Sequence, residues 1–182
     1  MHGGTTRRTA ATLAAACLAL LLAGSAIAAH TQPRSHAVAL SSLELGVLAD
    51  INAFRTAHNL APLHLSASLT TAARQHSQEM AAQGYFAHES VDGSAFWKRI
   101  QRFYPSVSTG YWSVGENLLW SSQAVDASGA LQMWLASPEH RANLLTARWR
   151  EIGVSAVHAV AAPGTYDGRD VTIVTTDFGV RR

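Results

Sequence analysis

The sequence has one cysteine, Cys17, in 182 residues. No intrachain disulfide can form, so the hydrophobic core alone must hold the fold. Lysine is almost missing as well, with Lys98 the single example. The formal net charge is only +2, which gives no basic footprint, and nucleic acid is excluded as a partner. A bilayer-spanning run is also lacking. The one extended apolar stretch, Ala10 to Ala23, falls short of the roughly 20 residues needed to cross a membrane.

That stretch has another reading. Arg7 and Arg8 precede it, and Ala26-Ile27-Ala28 follows as a small-x-small cleavage site, which together predict a secretory signal peptide over residues 1–28. Either the general or the twin-arginine export route fits the arginine pair. Cleavage would leave roughly 150 residues, enough for one domain of ordinary size. The remaining basic residues then equal the 12 acidic ones in number. The mature chain is expected to carry no transmembrane segment and no cysteine, and to be secreted or periplasmic.

Residues 29–42, which include Pro33, read as an N-terminal arm, and 43–182 as a single domain. Leu43, Val47, Ile51 and Phe54 form one apolar helical stripe, predicting a helix from about Ser42 to His58. A second helix is expected after a cap at Ser66 or Ser68 and is stopped by Gly84, a third after Ser94, and a fourth over Val125 to Leu135. The stretch SPEHRANLL, residues 137–145, begins a fifth, with Ser137 as N-cap and Pro138 at the first helical position. Beyond it, EIGVSAVHAV and VTIVTTDFGV are β-rich and flank a turn with Gly164 and Gly168, so they predict an antiparallel hairpin. Val114 to Leu119 offers a third strand. Helices followed by strands point to an α+β fold.

Three positions stand apart from the packing pattern. His88 follows the end of the second helix, Glu116 sits between a glycine and an asparagine in an apolar segment, and His140 occupies the first turn of SPEHRANLL. Element ends and loops are where scaffolds present functional groups. His76, by contrast, lies in the apolar stripe of its helix and reads as a core histidine. Asn117 and Asn143 read as structural. Trp97, Trp112 and Trp120 either pack in the core or line a groove.

The segments ADINAFRTAHNLAPL, LTTAARQHSQEMAAQGYFAH, GENLLW, MWLASPEHRANLL with EIGV, and VTIVTTDFG together resemble the CAP superfamily. This is the group of cysteine-rich secretory, antigen 5 and pathogenesis-related-1 proteins, also described as SCP-like, and the match is nearest to its short bacterial secreted members. The resemblance runs from about residue 46 to 180. It implies a three-layer α-β-α sandwich with a small central antiparallel sheet and a cleft floored by histidines and acids. Carried over residue by residue, the family's two cleft histidines fall on His88 and His140 and its G-E-N acid on Glu116. A further cleft acid is expected between His88 and Glu116, where only Glu89 and Asp92 follow the histidine before a basic stretch. The cysteines of the family are absent.

Two imidazoles and a carboxylate form a ligand set for a divalent ion such as zinc, with a position left open. The expectation is that His88, Glu116 and His140 hold such a metal, with Glu116 either a ligand or an acceptor that orients one ring. The helix dipole should keep His140 neutral and able to bind metal. A plain alternative is a buried hydrogen-bonded cluster that ties helices to sheet.

Three functions follow. The first is a secreted module binding a metal together with a lipid, sterol or peptide. The second is a hydrolase with Glu116 as general base on a metal-bound water, for which no H-E-x-x-H or G-x-S-x-G motif is present. The third is an envelope interaction domain without a small ligand. Binding is preferred over catalysis.

Overall fold

The computed structural model describes residues 1–3, 39–107 and 110–182. Nearly all of the expected signal peptide, and the expected arm up to residue 38, lie outside the described residues. Helix α1 (Ser42–Ala57) begins with a capping box. The Ser41 hydroxyl accepts the Glu44 N–H while the Glu44 carboxylate accepts the Ser41 N–H, so two orphan donors are satisfied reciprocally. The other Glu44 oxygen accepts the N–H of Ala156, 3.0 Å away, which fastens the helix start to a strand far along the chain.

Strand β1 (His64–Leu65), α2 (Ala67–Gln83), α3 (Phe96–Phe103), β2 (Trp112–Ser121), α4 (Ala127–Leu135), α5 (Pro138–Leu144), β3 (Glu151–Ala162), a 3-10 turn (Gly164–Tyr166) and β4 (Arg169–Arg181) follow in order. The strands form one sheet in the order β1-β3-β4-β2. β3 and β4 pair antiparallel as the predicted hairpin, and β2 pairs antiparallel with β4 over its whole length.

Two local expectations are corrected. The sheet is mixed rather than purely antiparallel, because β1 pairs parallel with β3 through His64 and Leu65. Two residues are too few to carry an alternation signal. Ser94 does not cap α3, which starts after Ala95 without a side-chain cap. The Ser94 N–H is instead bonded to Asp92 Oδ1 at 2.9 Å.

Alternation along the strands divides the core between two helical layers. On one face Ile152, Val154, Val174, Phe178 and Val180 pack with Val47 and Ile51 of α1 and Ala130 and Trp134 of α4. On the other, Leu118, Val171 and Ile173 meet Met80 and Ala81 of α2, and Leu69 and Ala72 pack with Ile100 and Tyr104 around α3. This is the three-layer α-β-α arrangement. Helix α2 lies so close to β3 that a Cβ on Gly153 would stand 2.1 Å from the Leu69 carbonyl carbon. Only glycine admits that approach.

Candidate functional site

β2 is one of the two outer strands of the sheet, and the site is built over its free edge. Alternation turns Glu116 toward the α2/α3 layer and leaves Gly115 and Asn117 facing the α4/α5 side. Along that edge the Glu116 carbonyl accepts the Asn143 amide at 3.1 Å, and the Leu118 carbonyl accepts the Trp134 indole N–H at 3.1 Å. Side chains of α5 and α4 therefore cover backbone that an open edge would expose.

Gly115 is required by that covering. A Cβ there would meet Asn143 Oδ1 and Trp149 Cζ2 at 2.8 Å. Asn143 also donates to Asn117 Oδ1 at 2.9 Å, Asn117 donates to the His140 carbonyl at 3.1 Å, and the Trp149 N–H reaches Asn143. Both asparagines are structural, as expected: they lock α5 onto β2 and so fix where His140 stands. The Ser137 hydroxyl accepts the His140 N–H at 3.4 Å, and Pro138 opens the helix.

The Glu116 carboxylate has no exposed side-chain surface and is held from two sides. Its Oε1 pairs with His88 Nδ1 at 2.8 Å, and its Oε2 accepts the Arg99 guanidinium. Arg99 is itself 2% exposed and donates to the His88 carbonyl and the Ser90 hydroxyl, both at 3.2 Å. One arginine thus fixes the acid and the backbone of the histidine that the acid orients. Burial alone would push the Glu116 carboxyl up, but the His88 hydrogen bond and the Arg99 charge together hold it below the ordinary carboxylate value.

The same hydrogen bond raises the His88 pKa against the opposing effect of burial. His140 moves the other way, lowered first by burial and then by the neighbouring His88. The direction agrees with the neutral imidazole expected there.

His88, Glu116 and His140 all line one cavity of about 420 Å³, together with Glu89, Phe96 and Glu139. The layers meet here, with His88 supplied beside α3 and His140 from α5. The second expected cleft acid, Asp92, is not among the lining residues and serves the turn before α3. Among the described residues no three His, Cys, Asp or Glu side chains are grouped so as to enclose a metal ion. Glu116 in particular has both oxygens engaged by protein donors.

Two further residues belong to this network, and the sequence reading passes over both. Arg99 falls on the apolar stripe Phe96, Arg99, Ile100, Phe103 of α3, and a charge on such a stripe is a signal that a buried acid awaits it. Asp177 pairs in register with Glu116 across β2 and β4. It is fully buried, and among the described residues neither of its oxygens meets a hydrogen-bond donor. Burial, reinforced by the Glu116 charge, pushes its pKa well above the ordinary value, opposite in direction to Glu116. His76 is buried as expected, with Nε2 donating to the Ala87 carbonyl at 2.9 Å. Burial lowers its pKa.

A smaller cavity of about 260 Å³ adjoins through His140 and is walled by Phe86, Leu118, Trp120, Met133 and Trp134. Of the three tryptophans considered for a groove, Trp120 lines this one. Trp97 is solvent-exposed on α3, and the Trp112 N–H is tied to the Tyr104 carbonyl.

Residues 48–175 match the cysteine-rich secretory protein family. Among curated relatives, the Bacillus subtilis protein YkwD is 30% identical over 120 residues, covering 66% of this chain and 44% of YkwD. The B. subtilis membrane protein YlbC is 29% identical over 103 residues, covering 57% and 28% respectively. The chain thus spans less than half the length of either relative. An extracellular SCP-domain protein of Bacillus anthracis superposes with a TM-score of 0.56 at 29% identity, covering 80% of this chain and 45% of that one. An outer surface protein of Borrelia burgdorferi shares the fold, with a TM-score of 0.59 at 20% identity over 75% of this chain and 90% of its own. No helix among the described residues is long and apolar enough to cross a membrane. The ordered motifs, the three-layer fold and the family match agree: this chain belongs to the cysteine-rich secretory protein (CAP) family.

Proposed function

We propose that this protein is an exported CAP-domain binding module whose cleft holds a divalent metal, zinc foremost, on His88 and His140, together with a small apolar or peptide ligand. The observation that carries this reading is the 2.8 Å hydrogen bond between His88 Nδ1 and the buried Glu116 carboxylate. A carboxylate behind an imidazole fixes its tautomer and raises the basicity of the other nitrogen. With Nδ1 engaged, Nε2 is the nitrogen left for a ligand of the cleft. His140, its pKa lowered by burial, offers a neutral ring, the form that binds metal.

Of the two roles expected for Glu116, orienting acceptor fits and metal ligand does not, since His88 and Arg99 occupy its oxygens. Two imidazoles suit an ion that completes its shell with water and ligand atoms, not a closed structural site. When bound, the ion supplies a Lewis-acid centre for a ligand oxygen or nitrogen. Every other task falls to the chain itself: Arg99 holds Glu116, Glu116 orients His88, and Asn117 with Asn143 seats the helix that carries His140.

The same contacts weigh against the hydrolase alternative. A carboxylate held below its ordinary pKa by a guanidinium is a poor general base. A cavity of about 420 Å³ likewise favours a small-ligand module over an interaction domain without one.

Zinc titration by calorimetry on the wild type and on His88→Ala and His140→Ala tests the reading. Uptake by the wild type and its loss in both variants is the expected result. Equal uptake by all three overturns it.

A further inference from the structure

We infer that the ligand of this cleft is a short peptide carrying a basic side chain next to an aromatic or branched apolar one, and that an anionic lipid is rejected. The inference rests on the binding reading above and assigns the chemical class that reading leaves open.

The argument starts from charge. The charged side chains lining the larger cavity, apart from its histidines, are Glu89, Glu116 and Glu139. Glu116 is neutralised from behind by Arg99, whereas Glu89 and Glu139 stand exposed at the rim. Glu89 follows His88 and Glu139 precedes His140, so each ring has a carboxylate beside it on the chain. Among the described residues no lysine or arginine lines either cavity. The chain's own side chains at the opening therefore favour a cation and disfavour the carboxylate or phosphate head of a lipid. An ion on His88 and His140 would offset part of that charge, so the preference is read both with and without zinc.

Size and polarity supply the second half. The side cavity joins the cleft at His140 and is walled by Phe86, Leu118, Trp120, Met133 and Trp134. Its volume of about 260 Å³ exceeds the roughly 150 Å³ that accommodates benzene in an apolar protein cavity. One aromatic or branched side chain fits that space, with the basic group at the acidic rim. The ligand does not bind by adding a strand to β2, because Asn143 and Trp134 already occupy the Glu116 and Leu118 carbonyls on that edge. Side-chain compartments, not backbone pairing, set the specificity.

The test uses the wild-type protein with and without zinc, read by calorimetry and by intrinsic tryptophan emission, to which Trp120 and Trp134 in the side cavity contribute. The probes are N-acetyl-Phe-Lys-amide, N-acetyl-Phe-Glu-amide, N-acetyl-Ala-Lys-amide and laurate. The Phe-Lys probe is expected to bind at least about tenfold more tightly than each of the others, a difference of about 1.4 kcal/mol. The double variant Glu89→Gln, Glu139→Gln should reduce the Phe-Lys over Phe-Glu preference below about threefold. Met133→Trp should fill the side cavity and weaken Phe-Lys about tenfold while leaving zinc uptake unchanged. All three substituted residues are exposed, and a thermal melt checks that each variant stays folded.

Equal or tighter binding of Phe-Glu or laurate overturns the inference, as does failure of every probe to bind at millimolar concentration. Zinc uptake without peptide selectivity sinks this inference alone. Peptide selectivity without zinc uptake upholds it and sinks the metal reading alone.

Discussion

Glu116 and Asp177 stand directly opposite one another across β2 and β4, two buried acids of which Glu116 takes the Arg99 guanidinium. Arg99 and His88 keep Glu116 ionised. The Asp177 pKa moves the other way, raised by burial and then by its ionised neighbour. A carboxyl raised in the folded state favours folding where both states are protonated. That advantage is lost as pH climbs past the unfolded value near 3.9, because only the unfolded chain ionises freely. Asp177→Asn keeps the shape and removes this penalty. The variant should melt higher than wild type at pH 7, with the gap closing below about pH 4. A variant that melts lower at pH 7 would show that Asp177 acts as a charge.

Arg99 is needed for a different reason: it neutralises Glu116. Replacing it with methionine leaves Glu116 ionised, buried and short of one partner. Breaking a buried pair in this way costs about 3–5 kcal/mol, which urea unfolding would read directly. Arg99→Met combined with Glu116→Gln should recover part of that loss, since the stranded charge has gone. Additive losses in the double variant would mean that the two side chains do not act as a pair.

Much of this architecture is legible in the residues themselves. The stripe in α1, the Ser137-Pro138 start of α5 and the β3–β4 hairpin all follow from local chemistry, and the structure has them where those signals fall. The three-layer arrangement and the meeting of His88, Glu116 and His140 at one cavity are implied by resemblance and not by spacing. Asp177 illustrates the limit. Its importance depends on a strand register, Glu116 against Asp177, which no local pattern encodes. Arg99 is more accessible, because its place on the apolar stripe of α3 marks a buried charge in want of a partner. β1 is invisible, since two residues owe their pairing wholly to the neighbouring strand.

Gly115 has a steric role that a single methyl group tests. In Gly115→Ala the new Cβ would stand 2.8 Å from both Asn143 and Trp149, so α5 must move away from β2. Overpacking of this kind costs about 1–3 kcal/mol. Because Asn143 and Asn117 seat α5, the imidazole resonances of His140 should shift in NMR spectra while those of His76, buried on α2, stay in place. Unchanged His140 signals would separate the glycine from the positioning of the site.

Arg55 governs α5 from its other end. Its side chain is fully buried, yet it faces no carboxylate in the described structure. It donates instead to the carbonyls of Leu144 at 2.7 Å, Thr146 at 3.1 Å and Ala61 at 3.1 Å. The first two belong to the last turn of α5 and the residues just after it, where helix carbonyls lack intrahelical partners. The guanidinium thereby caps the helix that presents His140, from a helix far back along the chain. Arg55→Met strands the buried Leu144 carbonyl at about 1–3 kcal/mol, with smaller losses at the part-buried Thr146 and Ala61 bonds. Urea unfolding should read a loss of at least about 1 kcal/mol. Arg55→Lys should recover only part, because one ammonium cannot reproduce the spread of a planar fork. Amide exchange should quicken most over residues 138–146 if the loss originates at the α5 terminus. Uniform quickening across the domain would instead place Arg55 in the general core, with no particular hold on the histidine.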